Sequence, residues 1–389
     1  MTEPKPYVPG WRPVKVIFMV CLLGNPMFWA CAQQKGVKEN TPEIVTPGKQ
    51  SYTTETVVPG LDIPWGMAFL PGGSMLISEK SGTLIHFKDG KKTNVKDVPE
   101  VYFRGQGGLM DLELHPRYEE NGWIYLSYSS QEGTGKGGNT AILRAKLEDD
   151  RLVDQQLLYK GVPNTTRGPH FGSRLEFGDD GMLYFSIGDR YNRDENPQDV
   201  TRDGGKIYRV RDDGTVPDDN PFVNQADAKR AIFSYGHRNP QGMAKHPDTG
   251  EIWVHEHGPR GGDEINIVAK GKNYGWPKIT YGINYSGTKI TDDTALPGME
   301  QPFYYWVPSI APSGMAFVTS DLYPEWKGNL LVGSLIFQYL ERCVIKNDKI
   351  AYREKLVPDI GRVRNVRQGP DGYIYVAVEG KGIIKIIPN

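Results

Sequence analysis

One phrase, a strand followed by a turn and a second strand, returns along the whole of this chain. Each copy alternates apolar and polar residues with period two, and its turn carries the Gly, Pro or Asp that hairpins require. Copies spread across a chain, each with additional strand material, are typical of the radial sheets of a propeller. The sequence therefore predicts an all-β, six-bladed β-propeller. The six copies begin at Trp65, Gly108, Ser173, Gly242, Gly314 and Asn365.

Composition agrees with this fold and narrows the partners. The 389 residues include 46 Gly, 29 Pro and 21 Tyr, which favour turns and strands over helices. A β-sandwich would not explain why the same phrase recurs to the end of the chain. The formal net charge of −1 gives no reason to expect nucleic acid, so small molecules are the expected partners.

The N-terminal residues are typical of an exported protein. Lys15 precedes an apolar run too short to span a bilayer but suited to a secretory signal. Cys31 follows a small residue and precedes polar ones, as at a lipoprotein cleavage site. We expect an export segment at 1–31, a linker at 32–50 and the propeller at 51–389. The predicted location is either the periplasm, after simple cleavage of the signal, or the cell envelope, with membrane attachment through lipidated Cys31. Cys343 is then a lone, buried strand residue without a disulfide.

Polar residues concentrate between Phe233 and Pro277, where imidazole, amide, guanidinium and carboxylate groups lie on turns beside short strands. Side chains presented from loops on a rigid scaffold are typical of binding and catalytic sites. Residues that precede the inner strand of each blade should also converge near the propeller axis. Together they predict a cationic, hydrogen-bonding cup for a planar polyanion. This set comprises Trp65, Arg104, Gly105, Gln106, His170, Arg238, Asn239, Ser313, Arg362 and Arg364.

Several motifs, in order, resemble one known family. They are GQGGLMDLELHP, GPHFGSRLEFG, SIGDR, GKIYRVRDDGTVPDDNPF, YGHRNPQGMA, EHGPRGGDEIN and KGKNYGWP. These strings resemble the soluble sugar dehydrogenases that depend on pyrroloquinoline quinone (PQQ), nearest the bacterial aldose sugar dehydrogenase branch. The resemblance runs from about Leu61 to the C terminus. It implies a propeller with PQQ and Ca²⁺ over the axis on the loop-rich face.

Carried over position by position, the resemblance assigns roles to individual residues. It implies that His170 is the general base in oxidation of an aldose at C1 to a lactone and that Asp189 orients it. It implies that Arg238 stabilises the electron-rich quinone. The implied cofactor contacts are Gln106, Arg238, Asn239, Tyr285, Arg362 and Arg364. The implied calcium ligands are the backbone carbonyls of Gly258 and Pro259, with Glu264 and Tyr274 at a second, structural calcium position. Electrons then pass to an external acceptor.

Two features depart from the family or compete with it. The family places a lysine on the cofactor after a GSL-like turn, but Leu335 is followed here by Ile336 and Phe337. Without that lysine, we expect Arg362 and Arg364 to pair with more of the negative charge of the cofactor. His255 and His257 alternate with period two and lack nearby Cys, so we interpret them as rim residues rather than a transition-metal site.

Two other classes of function fit the same outline. One is a calcium-dependent lactonase or phosphoesterase in which His170 and Asp189 act with metal-bound water. The other is a non-catalytic extracellular binding propeller. Dehydrogenase activity should require PQQ, Ca²⁺ and an electron acceptor, hydrolase activity should require metal alone, and a binding protein should have neither activity.

Overall fold

The computed structural model describes residues 43–44 and 50–389. In these residues the strands form six separate sheets, each the size of one propeller blade, and all pairings but one are antiparallel. The first two strands, β1 (Glu43–Ile44) and β2 (Tyr52–Pro59), join the last two blades rather than the first. The single helix of this region, α1 (Tyr118–Asn121), occupies one hairpin turn.

The remaining strands follow the chain blade by blade, from the innermost strand outwards. Blade 1 comprises β3 (Pro64–Phe69), β4 (Met75–Glu79), β5 (Leu84–Lys88) and β6 (Lys91–Asn94). Blade 2 comprises β7 (Leu109–Leu114), β8 (Trp123–Ser130), β9 (Asn139–Glu148) and β10 (Arg151–Lys160). Blade 3 comprises β11 (Leu175–Phe177), β12 (Leu183–Ile187), β13 (Lys206–Val210) and β14 (Ile232–Tyr235). Blade 4 comprises β15 (Pro240–Lys245), β16 (Ile252–Glu256), β17 (Asp263–Ile267) and β18 (Tyr304–Trp306). Blade 5 comprises β19 (Pro312–Phe317), β20 (Leu330–Ser334), β21 (Leu340–Ile345), β22 (Ile350–Leu356) and β1. Blade 6 comprises β23 (Val363–Gln368), β24 (Ile374–Val378), β25 (Gly382–Pro388) and β2.

The innermost strands form a closed ring. Each contacts the next in the order β3, β7, β11, β15, β19, β23, and β23 contacts β3. The six repeats of the sequence correspond to the two inner strands of each blade, which confirms the predicted six-bladed propeller. The two ends of the folded chain share one sheet, because β2 pairs antiparallel with β25 from Tyr52↔Pro388 to Pro59↔Gly382.

Hydrophobic packing is concentrated between neighbouring blades, because each sheet is flanked by two others. Between blades 1 and 2, for example, Leu76 and Leu84 pack with Leu112 and Leu126. Equivalent clusters occupy the other five junctions, including the one between blade 6 and blade 1. The ring is therefore held by six interfaces of one kind, which makes it a rigid base for its loops.

Arg174 fills the axis below the loop face. Its guanidinium lies over the Trp65 ring, 4.0 Å from the centroid, and donates to Asp111 Oδ1 at 3.1 Å. It also donates to the carbonyls of Gln241 at 2.6 Å and Arg364 at 2.7 Å. One buried side chain thus links blade 3 to four other blades. Its pKa is lowered to about 10 by burial, partly offset by Asp111, so it stays charged.

Strand direction puts the long connections on one face. In an antiparallel blade, two connections lie on the same face of the propeller. They are the loop from the second to the third strand and the link from the outermost strand to the next blade. Here those segments include 161–174, 188–205, 257–262 and 307–311. The opposite face carries the short turns between the first two strands of most blades. The face with the long connections is the predicted loop-rich face.

The predicted export segment 1–31, including Cys31, lies outside the described residues, as does most of the predicted linker 32–50. Two residues of that linker, Glu43–Ile44, form β1 and pair in parallel with β22. Cys343 is a free, buried residue of β21, as expected. In the described part of the chain, no helix is long and apolar enough to cross a membrane.

Candidate active site

A buried histidine–carboxylate pair lies on the loop face. His170 Nδ1 is 2.6 Å from Asp189 Oδ1, and both residues are almost fully buried. Asp189 Oδ1 also accepts the Tyr191 N–H at 2.7 Å, and Oδ2 accepts Trp276 Nε1–H at 2.9 Å. An ionised carboxylate only accepts hydrogen bonds, so the imidazole proton resides on His170 Nδ1. His170 Nε2 is left with a lone pair that can accept a proton.

The electrostatics keep this pair in the form that a general base requires. Burial lowers the pKa of His170, and Arg238 lowers it further, against the opposing effect of Asp189. Burial alone would raise the pKa of Asp189, but the attraction of His170 and Arg238 and the hydrogen bonds from His170 and Trp276 outweigh it and lower that pKa. At neutral pH the pair is therefore a neutral imidazole and an ionised carboxylate.

Local backbone geometry holds the pair in place. His170, Arg190 and Tyr191 have φ angles of 61°, 56° and 57°, in the left-handed region that non-glycine residues rarely adopt. Gln106 Oε1 accepts the His170 N–H at 2.7 Å, and the Tyr191 ring packs edge-on against the imidazole at 5.5 Å. Such strain persists only where surrounding contacts enforce it, and it concentrates at functional sites.

His170 and Asp189 open into a cavity of about 360 Å³. Its walls come from 191–194 and from Asn284 and Tyr285. Arg193 Nη1 donates to Asn284 Oδ1 at 2.8 Å and so joins the two walls. The lining residues are Arg167, His170, Asp189, Tyr191, Asn192, Arg193, Asp194, Arg238, Pro259, Trp276, Asn284 and Tyr285.

Arg238 and Asn239 carry buried donors that have no partner among the described residues, at Arg238 Nε and Asn239 Nδ2. Arg238 Nη1 donates to the carbonyls of His257 at 2.9 Å and Gly258 at 2.6 Å. Asn239 Oδ1 accepts the Gly172 N–H at 3.1 Å. Unpaired buried donors are costly, so they indicate a place for an acceptor group.

Arg362 and Arg364 do not line the cavity with His170. Both donate to Glu379, from Arg362 Nε to Oε2 at 2.7 Å and from Arg364 Nε to Oε1 at 3.0 Å. Arg362 also donates to the Leu335 carbonyl at 3.0 Å. The predicted convergence thus brings together His170, Arg238 and, through backbone bonds, Gln106 and Asn239. The two C-terminal arginines instead share one carboxylate.

A second, small cavity adjoins Arg238 and contains Gly258, Glu256, Glu264 and Tyr274. Burial, then the neighbouring Glu256, raises the pKa of Glu264 to about 8, and Asn266 donates to Glu264 at 3.2 Å. The Tyr274 hydroxyl is already bonded to the Ile267 carbonyl at 2.5 Å and the Ala269 N–H at 2.9 Å. Tyr274 could therefore offer a cation only its backbone carbonyl, whereas Glu264 offers a carboxylate.

The interpretation of His255 as a rim residue is wrong. His255 is fully buried in β16, and a Cβ at Gly242 would approach His255 Nε2 to 2.0 Å. Glycine at 242 makes the room that brings this imidazole into the blade, which a period-two pattern alone does not reveal. His257 is half-buried, and its Nε2 bonds to the Pro312 carbonyl at 2.8 Å.

Sequence reasoning missed Trp276. Its Nε1–H fixes the second oxygen of Asp189, and its ring lies 5.3 Å from the Arg238 guanidinium. The motif KGKNYGWP contains Trp276, but the resemblance to the family assigned this tryptophan no role. Arg167 and Arg193 of the cavity wall carry no signal in the sequence, because nothing in their spacing distinguishes them from solvated surface arginines.

Residues 61–385 match the family model described as Glucose / Sorbosone dehydrogenase. The chain belongs to this family. It is similar to "Aldose sugar dehydrogenase YliI" of Escherichia coli (strain K12), with 43% identity over 87% of this chain and 94% of that protein.

Solved structures give the same result. The soluble aldose sugar dehydrogenase of E. coli in the apo-form is 41% identical with a TM-score of 0.84, covering 87% of this chain and 100% of that one. The PQQ-bound aldose sugar dehydrogenase of Streptomyces coelicolor is 27% identical with a TM-score of 0.73, covering 89% and 100%. This dehydrogenase is therefore an oxidoreductase, which decides against the hydrolase and the binding-only alternatives.

Proposed function

We propose that this dehydrogenase oxidises aldose sugars at C1 to lactones, with PQQ and Ca²⁺ as cofactors and an external electron acceptor. The observation that carries the proposal is the His170–Asp189 pair, whose free Nε2 belongs to the same cavity as Arg238. The PQQ-bound relative from S. coelicolor supports the choice of cofactor. Export and attachment through lipidated Cys31 stay part of the proposal as predictions.

The residues present fit such cofactors. Arg238 Nε and Asn239 Nδ2 are unpaired buried donors, and the carboxylates and carbonyls of PQQ are acceptors of matching type. Gly258 and Pro259 would hold Ca²⁺ through backbone carbonyls, which are the hard oxygen ligands that calcium prefers. Glu264, with the Tyr274 carbonyl, would hold the second Ca²⁺, whose charge would compensate its buried carboxylate. Tyr285 would contact the cofactor from the cavity wall, and Gln106 would do so from beside His170, whose N–H it accepts. Arg362 and Arg364, which share Glu379, would contribute positive charge.

The chain's own residues then perform the acid–base part of the reaction. When bound, PQQ supplies the hydride acceptor and Ca²⁺ adds positive charge beside it. His170 Nε2 takes the proton of the sugar C1 hydroxyl, while Asp189 stabilises the resulting imidazolium through Nδ1. Arg238 presents positive charge that is already in position when negative charge develops nearby. Trp276 and Tyr191 hold the pair in place, through the Trp276 Nε1–H bond to Asp189 and the contact of the Tyr191 ring with His170.

The first prediction concerns cofactor binding. The purified apoprotein should bind PQQ tightly only with Ca²⁺, because Gly258 and Pro259 contribute no charge and leave that of the metal free for the cofactor. Titration of PQQ by fluorescence, with Ca²⁺ and with a chelator, measures the two affinities. Mg²⁺ serves as a control, since its demand for a small octahedral shell suits a two-carbonyl site poorly. Equal PQQ affinity with calcium and with chelator would contradict the calcium assignment.

The second prediction concerns substrate range. The cavity walls end in exposed side chains, with Tyr191 at 55% and Tyr285 at 70% exposure. Hydrogen bonds that water can replace discriminate weakly, so we expect a broad enzyme that accepts hexoses, pentoses and disaccharides. Comparison of kcat/KM for glucose, galactose, xylose and maltose tests this. A preference above about a thousandfold, or about 4 kcal/mol of transition-state binding, would reveal a specific pocket instead.

A further inference from the structure

Asp263, which no role above includes, accepts four hydrogen bonds while almost fully buried. Its Oδ1 accepts the Gly258 N–H at 2.7 Å and the Ser309 hydroxyl at 3.0 Å. Its Oδ2 accepts the N–H groups of Ile310 and Ala311, each at 2.8 Å. Three of the four donors are backbone groups, so this carboxylate determines chain conformation rather than side-chain placement.

These donors come from two different blades. Gly258 belongs to the loop 257–262 between β16 and β17, whereas Ser309, Ile310 and Ala311 lead into β19 of blade 5. Ser309 extends the link, because its Oγ accepts the Gly261 N–H at 3.0 Å. Farther along the loop, the Gly262 N–H donates to the Trp306 carbonyl at 2.8 Å. Asp263 is therefore the centre of a clamp that fixes the loop 257–262 to the neighbouring blade.

The loop held by this clamp is tight. A Cβ at Gly258 would lie 2.2 Å from the Gly262 carbonyl oxygen, so the peptide planes have little room to rotate. Ala311 has a φ of 48°, in the left-handed region, and its N–H is one of the Asp263 donors. A strained alanine persists where a specific contact enforces it. Both observations indicate that Asp263 holds backbone conformations that the loops would otherwise leave.

The clamp matters for cation binding because it fixes the direction of the Gly258 carbonyl. This oxygen accepts Arg238 Nη1 at 2.6 Å, at the junction of the two cavities, while the N–H of the same residue is fixed by Asp263. Loss of the Asp263 bond would free the peptide planes around Gly258 and Pro259. Their carbonyls are the proposed calcium ligands, so their direction sets the affinity for the cation.

We propose that Asp263 is a positioning residue that aims the Gly258 and Pro259 carbonyls at the cation and thereby sets the affinity for calcium and, through it, for PQQ. The inference rests on the proposed function and deepens it. Asp263 is not part of the lining of the cavity that contains His170. Its effect should therefore fall on calcium affinity and not on the chemical step once the site is filled.

The test compares Asp263→Asn with Asp111→Asn. Asparagine keeps the volume at 263 but puts an NH₂ group against backbone donors. Asp111 is a matched control, because it is also buried and accepts both a side-chain and a backbone donor, from Arg174 and Leu175 at 3.1 Å each. Both variants should lower the unfolding temperature. Only Asp263→Asn should weaken calcium binding, measured by calorimetry, by at least about tenfold, and excess calcium should restore most of kcat.

A second variant and a cofactor-free measurement complete the test. Ser309→Ala removes one donor and should weaken calcium binding, although less than Asp263→Asn does. It keeps the proposal testable if Asp263→Asn folds poorly. Amide hydrogen exchange of the apoprotein should accelerate in 257–262 and 309–311 in Asp263→Asn but not in Asp111→Asn. Unchanged calcium affinity, or unchanged exchange in both segments, would overturn the inference. A parent protein that binds neither Ca²⁺ nor PQQ would instead overturn the proposed function, and the exchange data would still decide whether the clamp exists.

Discussion

Replacing His170 by glutamine is expected to leave PQQ binding intact and to reduce kcat by about two to four orders of magnitude, the usual contribution of a positioned acid or base. Glutamine can still bond to Asp189 and fill the space, but it cannot take a proton. Binding should survive because the proposed cofactor contacts come from other residues, Arg238 and Asn239 among them. Stopped-flow reduction of the bound cofactor by glucose measures the chemical step, and a fluorescence titration measures binding.

A matched control is available in blade 1. His86 Nδ1 lies 2.6 Å from Asp150 Oδ1, the same separation as in the His170–Asp189 pair, but it lies on β5 and outside the cavity lining. His86→Gln should therefore cost some stability and leave kcat within about twofold of the parent. If His170→Gln oxidised sugar at the parental rate, another residue would have to be the base.

The fold was predictable because its information is local and repeated. Each hairpin needs only a period-two pattern and a turn residue, and six copies leave few architectures open. The closure by β2 and β25 was not predictable from the same pattern. The partner of an outermost strand depends on which chain end reaches it, and Tyr52 lies 336 positions before its partner Pro388 in the sequence. The short strand Glu43–Ile44 was also not predictable, because a strand of two residues is too short to show a period-two pattern.

The site was predictable only in part, because blade register locates residues but does not choose their partners. Register correctly brought His170 and Arg238 to one cavity. It could not foresee that Glu379 would pair with both Arg362 and Arg364, because a carboxylate on another loop competes for the same guanidinium groups. Nor could it foresee that Trp276 would reach Asp189, a contact across 87 residues of sequence.

Arg238 links the cofactor contacts to the base, so Arg238→Gln should change two quantities at once. Loss of its charge should lower kcat/KM by about two to three orders of magnitude, as removal of one preorganised donor to developing charge usually does. It should also move the pH profile, because Arg238 helps to lower the pKa of His170.

The sign of this second effect follows from which form of His170 is active. The base works when neutral, so activity is lost as pH falls through its pKa, and in the parent that acid limb should lie below the ordinary value of 6.5. Removing the positive charge of Arg238 favours the imidazolium, raises that pKa and shifts the acid limb to higher pH. Profiles of kcat/KM from about pH 5 to 9 with saturating PQQ and Ca²⁺ measure the shift.

Arg209→Gln is the control, because Arg209 is also buried but pairs with Asp180 and Asp219 outside the cavity. It should change stability and leave the acid limb where it is. An unshifted limb in Arg238→Gln would mean that His170 does not titrate under the influence of Arg238, and the electrostatic part of the mechanism would have to be abandoned.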